Sequence, residues 1–327
     1  MNPFDYEYVS FASAGTKGHM FLGLLDGIEY ILEKQGRTYD EWHASLKGVS
    51  GTSAGSMIGL VLLLGINKEK RSLLLSEISD VLKHLNPDLS LLLRNYGWED
   101  GRSIKNVIRR FLSLGGLSEE STLYDMYRIM RKEFVCVCTN LNLCEKMRLS
   151  AKSHPDMKVV DAIYASCAVP FVFTPPMIDT IMVADGCLTE NMPLVFDESK
   201  TLFVIPDRRV INEAVHTWPD FLAKIVRCSS ANQDFLYKEL SSRVSGFINI
   251  KCTDDVLRMP SLNFNQTSDE TLVVYRLGYI SVLHSLDATL LKQIGTLVSM
   301  LVGIIKTCPS EQPPIGECLS SERQAGS

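Results

Sequence analysis

The apolar positions at the start of the chain fall into two successive strand–turn–helix units. Residues 6–12 read as a short strand. A loop of small residues follows, Ser13-Ala14-Gly15-Thr16-Lys17-Gly18, and then a helix over 19–34 whose apolar positions are Met20, Leu22, Leu25, Ile28 and Ile31. The second unit has the same order: a short run over 44–49, a turn of small residues, and an apolar helix over 57–64. Two such units in a row predict an α/β fold, with a mostly parallel central sheet and helices on both faces.

The rest of the chain extends that reading. Residues 67–93 are leucine-rich and predict helix broken at Pro87, followed by a turn over 98–101 and an amphipathic helix over 103–112. Ser118 stands where a cap for the next helix is expected, with Glu119 and Glu120 in its first turn. Strands are predicted over 134–139 and 146–150, joined by a turn at 140–145. A short helix over 159–166 stops before Pro170, and a proline-bounded loop covers 171–176. The run 177–184 predicts one strand ending in Asp185-Gly186-Cys187, and 201–205 predicts another. Beyond about 207 the pattern turns helical, over 218–242 and 268–306. The organisation expected is a core over 1–206, a mainly helical part over 207–308 packed on it, and a disordered polar tail over 309–327.

Two uncharged stretches raise the question of a membrane. Residues 48–67 carry no charge, but only 57–66 is solidly apolar, which suits a buried helix. Residues 294–305 are also uncharged and too short to span a bilayer. A core or subunit-packing helix is the plainer reading there; a segment dipping into a membrane surface is the alternative.

Composition narrows the partners. Of the 327 residues 46% are hydrophobic and 22% charged, ample for a large core. The net charge of −5 gives no general basic field for nucleic acid. Nine cysteines at irregular spacings, without a C-x-x-C pair, suit neither a disulfide framework nor a zinc site and fit a reducing compartment. The first eight residues lack basic residues and an apolar core, so no secretory signal is expected.

Candidate chemistry gathers at three places. Gly51-Thr52-Ser53-Ala54-Gly55 fits G-x-S-x-G, the turn that lifts a serine oxygen clear at the end of a sheet strand, and the strand–turn–helix context strengthens the match. The loop containing Gly15 and Gly18 fits two of the three glycines of a dinucleotide fingerprint, with Ser13 in place of the first. The alternative is a set of backbone N–H donors at a helix N-terminus, aimed at an oxyanion. Asp185 ends an apolar strand, where carboxylates of α/β active sites are found, although an Asp-Gly turn is equally ordinary. A serine needs a base. None of the six histidines (His19, His43, His84, His154, His216 and His284) sits in a motif marking it as catalytic; His216 alone lies where a late triad histidine is expected.

Taken in order, these motifs resemble those of the patatin-like phospholipase family, with its G-G-G-x-[RK]-G loop, G-x-S-x-G elbow and D-G-[GA] aspartate. The segment from Asp161 to Pro170, with Phe173-Thr174-Pro175-Pro176 and Asn191-Met192-Pro193, is similar to the family's connecting text, so the resemblance covers about the first 200 residues. It departs at two points: Gly15 alone survives of the leading glycines, and Cys187 replaces the second residue after Asp185.

The resemblance implies a patatin-like three-layer fold and a Ser53–Asp185 dyad. Ala14, Gly15 and Ala54 would donate to the oxyanion; Lys17, Gly18, Gly51, Gly55 and Gly186 would support the motifs. It further implies phospholipase A-type hydrolysis of glycerophospholipids or related acyl lipids through an acyl-enzyme. No metal or cofactor is expected, and the place of work would be cytoplasmic, at a membrane surface that the chain does not span. Rivals are a transacylase using the same acyl-enzyme, a weakly active or inactive lipid-binding scaffold, an ordinary α/β-hydrolase using His216, and a nucleotide-dependent enzyme. Oligomeric state is left open.

Overall fold

The computed structural model describes residues 2–286, apart from 84–87, 213, 260–261 and 264–265. These residues fall in one compact unit, Met1–Ala288. Ten strands occur among them: β1 (Tyr8–Phe11), β2 (Gly48–Thr52), β3 (Gly97–Glu99), β4 (Glu133–Asn140), β5 (Glu145–Ser150), β6 (Phe171–Phe173), β7 (Met177–Ile178), β8 (Ile181–Asp185), β9 (Thr201–Pro206) and β10 (Phe247–Ile250). Eight form the central sheet in the order β10-β9-β1-β2-β4-β8-β7, with β5 also on β4; β3 and β6 pair separately.

The pairs β10–β9, β9–β1, β1–β2 and β2–β4 are parallel, and β4–β5, β4–β8 and β7–β8 antiparallel. Every residue of β2 is buried, as is all but the first of β4. Successive side chains of a strand point to opposite faces, so strands buried throughout are covered on both.

One feature of register places the site. Thr52, the last residue of β2, pairs with Val137, and Asp185, the last of β8, pairs with Cys138. Since β4 also pairs with β5 through both positions, β2 and β8 share the same flank of β4. They run toward each other in opposite senses and meet at their carboxyl ends.

Several elements differ from the sequence expectations. The run 177–184 is a hairpin, not one strand, because Asp179 takes a positive φ of 52° and reverses the chain. A helix outside the sequence expectations, Tyr39–Ser45, is capped by a box formed by Thr38 and Glu41. Thr122, with Asp125 as its capping-box partner, caps the helix Leu123–Met130 in place of Ser118. The stretches read as a turn at 98–101 and a loop at 171–176 contribute β3 and β6. Beyond 207 the chain is not solely helical, since β10 adds to the sheet edge. The stretch 218–242 is helical as expected, in two helices, Trp218–Ala231 and Asp234–Arg243. Pro87, the run 294–305 and the tail 309–327 lie outside the described residues.

The helix His19–Lys34 packs closely on Ser268–Leu286. Glycine makes the approach possible: a Cβ on Gly23 would lie 1.9 Å from the Tyr275 carbonyl oxygen, and one on Gly278 1.7 Å from that of Met20. Among the described residues no helix is long and apolar enough to cross a membrane.

Candidate active site

β2 ends at Thr52 and the helix Ala54–Leu63 begins two residues later, so Ser53 alone makes the turn. Its backbone stands at φ 56°, ψ −128°, a strained conformation for a residue with a side chain. The surroundings require small residues. A Cβ on Gly51 would lie 2.3 Å from the Gly55 carbonyl oxygen, and one on Gly55 would lie 2.4 Å from that of Ala12. Ser53 N–H donates to Ser166 Oγ at 2.9 Å, and Ser56 Oγ donates to the Ser53 carbonyl at 2.7 Å. The strained turn is thus held from both sides.

Asp185 comes to the same point from β8. Ser53 Oγ donates to its Oδ2 at 2.6 Å, and Cys187 N–H donates to its Oδ1 at 2.8 Å. Thr139 Oγ1 fixes the backbone by donating to the Asp185 carbonyl at 2.8 Å. Gly186 has no room for a side chain, since a Cβ would lie 2.2 Å from the Val137 carbonyl oxygen. Asp185 is fully buried, and burial pushes its carboxyl up to about 6 against the opposing pull of the Ser53 and Cys187 hydrogen bonds.

The small-residue loop forms the third side. Gly15 takes a positive φ of 56° and opens the 3₁₀ turn Gly15–Gly18. Ser13 N–H is spent on the Asn191 carbonyl at 2.8 Å, so it does not join the donors expected from that loop. Among the described residues the N–H groups of Ala14, Gly15 and Ala54 have no hydrogen-bond partner. A Cβ on Gly18 would stand 3.0 Å from that of Ala54, so the loop and the elbow are in contact.

Two cavities meet at Ser53. The larger, about 480 Å³, is bordered by Ala14, Gly15, Lys17, Ser53 and Asp185, and its lining also includes Arg208, Arg209, Lys224 and Arg227. The smaller, about 80 Å³, is an apolar slot lined by Ala54, Met57, Ile58, Ile104, Val107 and Phe173. Lys17 is buried at the edge of the larger one, and burial lowers its ammonium to about 8.

The histidines are placed elsewhere. His19 is buried with Nδ1 3.0 Å from the Thr16 carbonyl, and burial lowers it to about 4, which leaves the ring neutral. His43 sits 3.0 Å from the Leu63 carbonyl. His154 is half-buried with Nδ1 3.0 Å from Ser153 Oγ, His284 is exposed, His216 is exposed on the wall of the larger cavity, and His84 lies outside the described residues.

Sequence reasoning passed over the residues that hold this arrangement. Ser166 and Asn191 stood inside quoted motifs without a role; Thr139 had no signal beyond its place on a strand. Gln233 had none. Its Oε1 accepts from Asn191 N–H at 2.6 Å and from Tyr237 Oη at 2.8 Å, while its Nε2 donates to the Cys187 carbonyl at 3.5 Å. It therefore ties the Ser13 anchor to the Asp185 turn.

Comparison with known proteins gives a consistent result. A family model described as patatin-like phospholipase matches residues 9–196. An uncharacterized protein of Acanthamoeba polyphaga mimivirus is 24% identical over 157 residues, 47% of this chain and 52% of its own. The probable lipid hydrolase 463L of Invertebrate iridescent virus 6 is 20% identical over 196 residues, 59% of this chain and 64% of its own. The chain thus matches between about half and two thirds of the length of these curated relatives. VipD from Legionella pneumophila shares the fold at a TM-score of 0.50 and 18% identity, over 87% of this chain and 67% of its own.

Proposed function

The chain belongs to the patatin-like phospholipase family, and from that premise we propose that it hydrolyses acyl esters of glycerophospholipids, in the manner of a phospholipase A, at a membrane surface. The observation that carries this is the 2.6 Å hydrogen bond from Ser53 Oγ to Asp185 Oδ2 at the junction of the two cavities.

In this reading Ser53 Oγ attacks the ester carbonyl carbon, and its proton passes to Asp185 Oδ2. A buried carboxyl near 6 is ionised at neutral pH yet basic enough to take a proton as the bond forms. The unspent N–H groups of Ala14, Gly15 and Ala54 hold the developing oxyanion; each such donor is worth about 10²–10³ in rate. Collapse expels the lysolipid alkoxide, which takes the proton back from Asp185 and leaves the acyl group on Ser53. Water then attacks the acyl-enzyme and gives a proton to Asp185. The second collapse releases the fatty acid and restores the serine hydroxyl.

The two cavities suit the two ends of such a substrate. The slot, lined mainly by apolar side chains, offers an acyl chain contacts with few polar groups to desolvate. The larger cavity offers a phosphate head group Lys17 and the arginines of its lining.

The test is lipid-product profiling of wild-type protein beside Ser53→Ala, on phospholipid vesicles and on a soluble short-chain ester. Free fatty acid and lysophospholipid are expected from the wild type and neither from the variant. Labelling by a fluorophosphonate should likewise require Ser53; labelling of Ser53→Ala at the wild-type rate would reject this nucleophile.

A further inference from the structure

The helix Trp218–Ala231 has two faces with different surroundings. Asp220, Ala223, Lys224 and Arg227 line the larger cavity. Trp218, Phe221 and Ile225 lie one turn apart along the opposite side, at the i, i+3, i+7 spacing of a single stripe. They are 51%, 44% and 48% exposed. The Trp218 and Phe221 rings stack with centroids 5.5 Å apart, so the stripe has a fixed shape without a covering element among the described residues. The following helix carries two more exposed apolar side chains, Phe235 at 72% and Leu236 at 50%.

We propose that this outer stripe is the surface on which the protein docks to a lipid bilayer, with Trp218, Phe221 and Ile225 set into the interfacial region. The choice of a bilayer rests on the lipid ester hydrolysis proposed above and on three local features. First, the helix is the outer wall of the cavity that meets Ser53, so a bilayer on its far side lies about 10 Å, one helix diameter, from that cavity. Second, an exposed apolar stripe containing Trp and Phe is the composition that settles in the headgroup region, where the indole keeps its N–H wet. Third, Lys238, one turn from the exposed Phe235 on the following helix, makes no ion pair among the described residues, and its charge favours an anionic headgroup layer over neutral surfaces.

The stripe is separate from the reacting groups, so docking and chemistry can be tested apart. Vesicle binding is measured on full-length Ser53→Ala protein, which leaves the lipid intact, using vesicles of phosphatidylcholine and phosphatidylserine. Tryptophan emission is expected to shift to the blue and to be quenched by lipid brominated in the upper acyl chain, and Trp218→Phe should remove that quenching. Combined Trp218→Ser, Phe221→Ser and Ile225→Ser should weaken vesicle partitioning at least about tenfold. In protein with Ser53 intact the same triple change should leave soluble-ester hydrolysis at the wild-type rate.

A photo-crosslinking amino acid in place of Ile225 identifies the occupant. Transfer of the label to lipid supports the proposal. Cross-linking to residues 287–327, or to a second copy of the chain, overturns it. So does unchanged vesicle binding by the triple variant. Loss of soluble-ester hydrolysis in Ser53→Ala alone, together with failed vesicle binding, would sink the docking surface and leave the proposed chemistry standing.

Discussion

Ser53 Oγ donates to Asp185 Oδ2 across 2.6 Å although 132 positions separate the two residues. The meeting is a consequence of strand direction. β2 and β8 use adjoining positions on one flank of β4, Val137 and Cys138, and approach it in opposite senses. Each strand therefore ends where the other does. The elbow at Ser53 turns the chain away at that point, and the serine oxygen is left facing the last side chain of β8. Were β8 parallel to β4, its amino end would meet Thr52 in place of Asp185; the antiparallel β4–β8 pairing brings the two carboxyl ends together.

Asp185 sets the expected pH dependence. Only the carboxylate can accept the serine proton, and burial places its titration at about 6. Activity on a soluble ester should therefore be flat above neutrality and fall tenfold per pH unit below about pH 6, in the manner of one essential base. Initial rates on a short-chain ester across that range check this. A kcat/KM that stays level well below the titration of Asp185, or a drop caused equally by His216→Ala, would assign the base elsewhere.

The same burial has an opposite effect on stability. The folded protein holds Asp185 above its ordinary 3.8, so the fold favours the protonated acid. That contribution is present below about 3.8 and is lost as pH rises through about 6. At neutral pH the ionised group costs the fold about 3 kcal/mol, taking 1.36 kcal/mol per pH unit. Asp185→Asn keeps an acceptor for Cys187 N–H and removes the charge. It should raise Tm by several degrees at pH 7.5 while abolishing hydrolysis, and the gain should shrink toward zero near pH 4. Thermal melts of both proteins at the two pH values measure this.

Much of the site was legible because its residues are chosen by backbone space, which sequence records. Gly51 and Gly55 are spelled by contacts at 2.3–2.4 Å that no side chain survives, and they bracket the serine. The helix His19–Lys34 was read to its ends, since its apolar period is unbroken. What sequence withheld depends on partners far along the chain. β10 is a four-residue strand with an alternating burial pattern inside a helical region, too short to outweigh its neighbours. The reversal at Asp179 splits an evenly apolar run, which looks the same as one strand. The pairing of Ser13 with Asn191, and of Asn191 with Gln233, is a product of folding that no local pattern carries.

Gln233 is expected to act as a positioning residue. It holds Asn191, which spends the Ser13 N–H and so fixes the loop that presents Ala14 and Gly15. Gln233→Leu keeps the volume and leaves the Asn191 N–H and the Tyr237 hydroxyl without that partner. We expect kcat on a soluble ester to fall about tenfold, within the range for one misplaced oxyanion donor, with KM changed little. Gln233→Glu retains the acceptor and should recover most of the rate. Equal losses in both variants would mean that the side chain matters only for folding.

The buried Arg71 is expected to govern stability at a distance from the chemistry. It belongs to the helix Lys68–Lys83 and is almost wholly buried. Its Nε donates to Asp26 Oδ1 at 2.6 Å, an Nη donates to the Ile66 carbonyl at 2.7 Å, and the other pairs with Glu29. Tyr275 Oη, from the helix Ser268–Leu286, donates to the second oxygen of Asp26. Three helices are thus joined through one carboxylate. Arg71→Met fills similar space but leaves the buried Asp26 without its cationic partner, which typically costs about 3–5 kcal/mol. Adding Asp26→Asn removes the uncompensated charge, so the double variant should recover part of that loss even though it lacks the ion pair. Urea denaturation of the wild type, both single variants and the double variant completes the cycle. Because the helix bearing Asp26 starts directly after the Gly15–Gly18 turn, the same series should report on the loop: activity at low urea should fall in Arg71→Met before global unfolding begins. A denaturation midpoint unmoved by Arg71→Met would show that the Arg71 ion pairs do not hold these helices together.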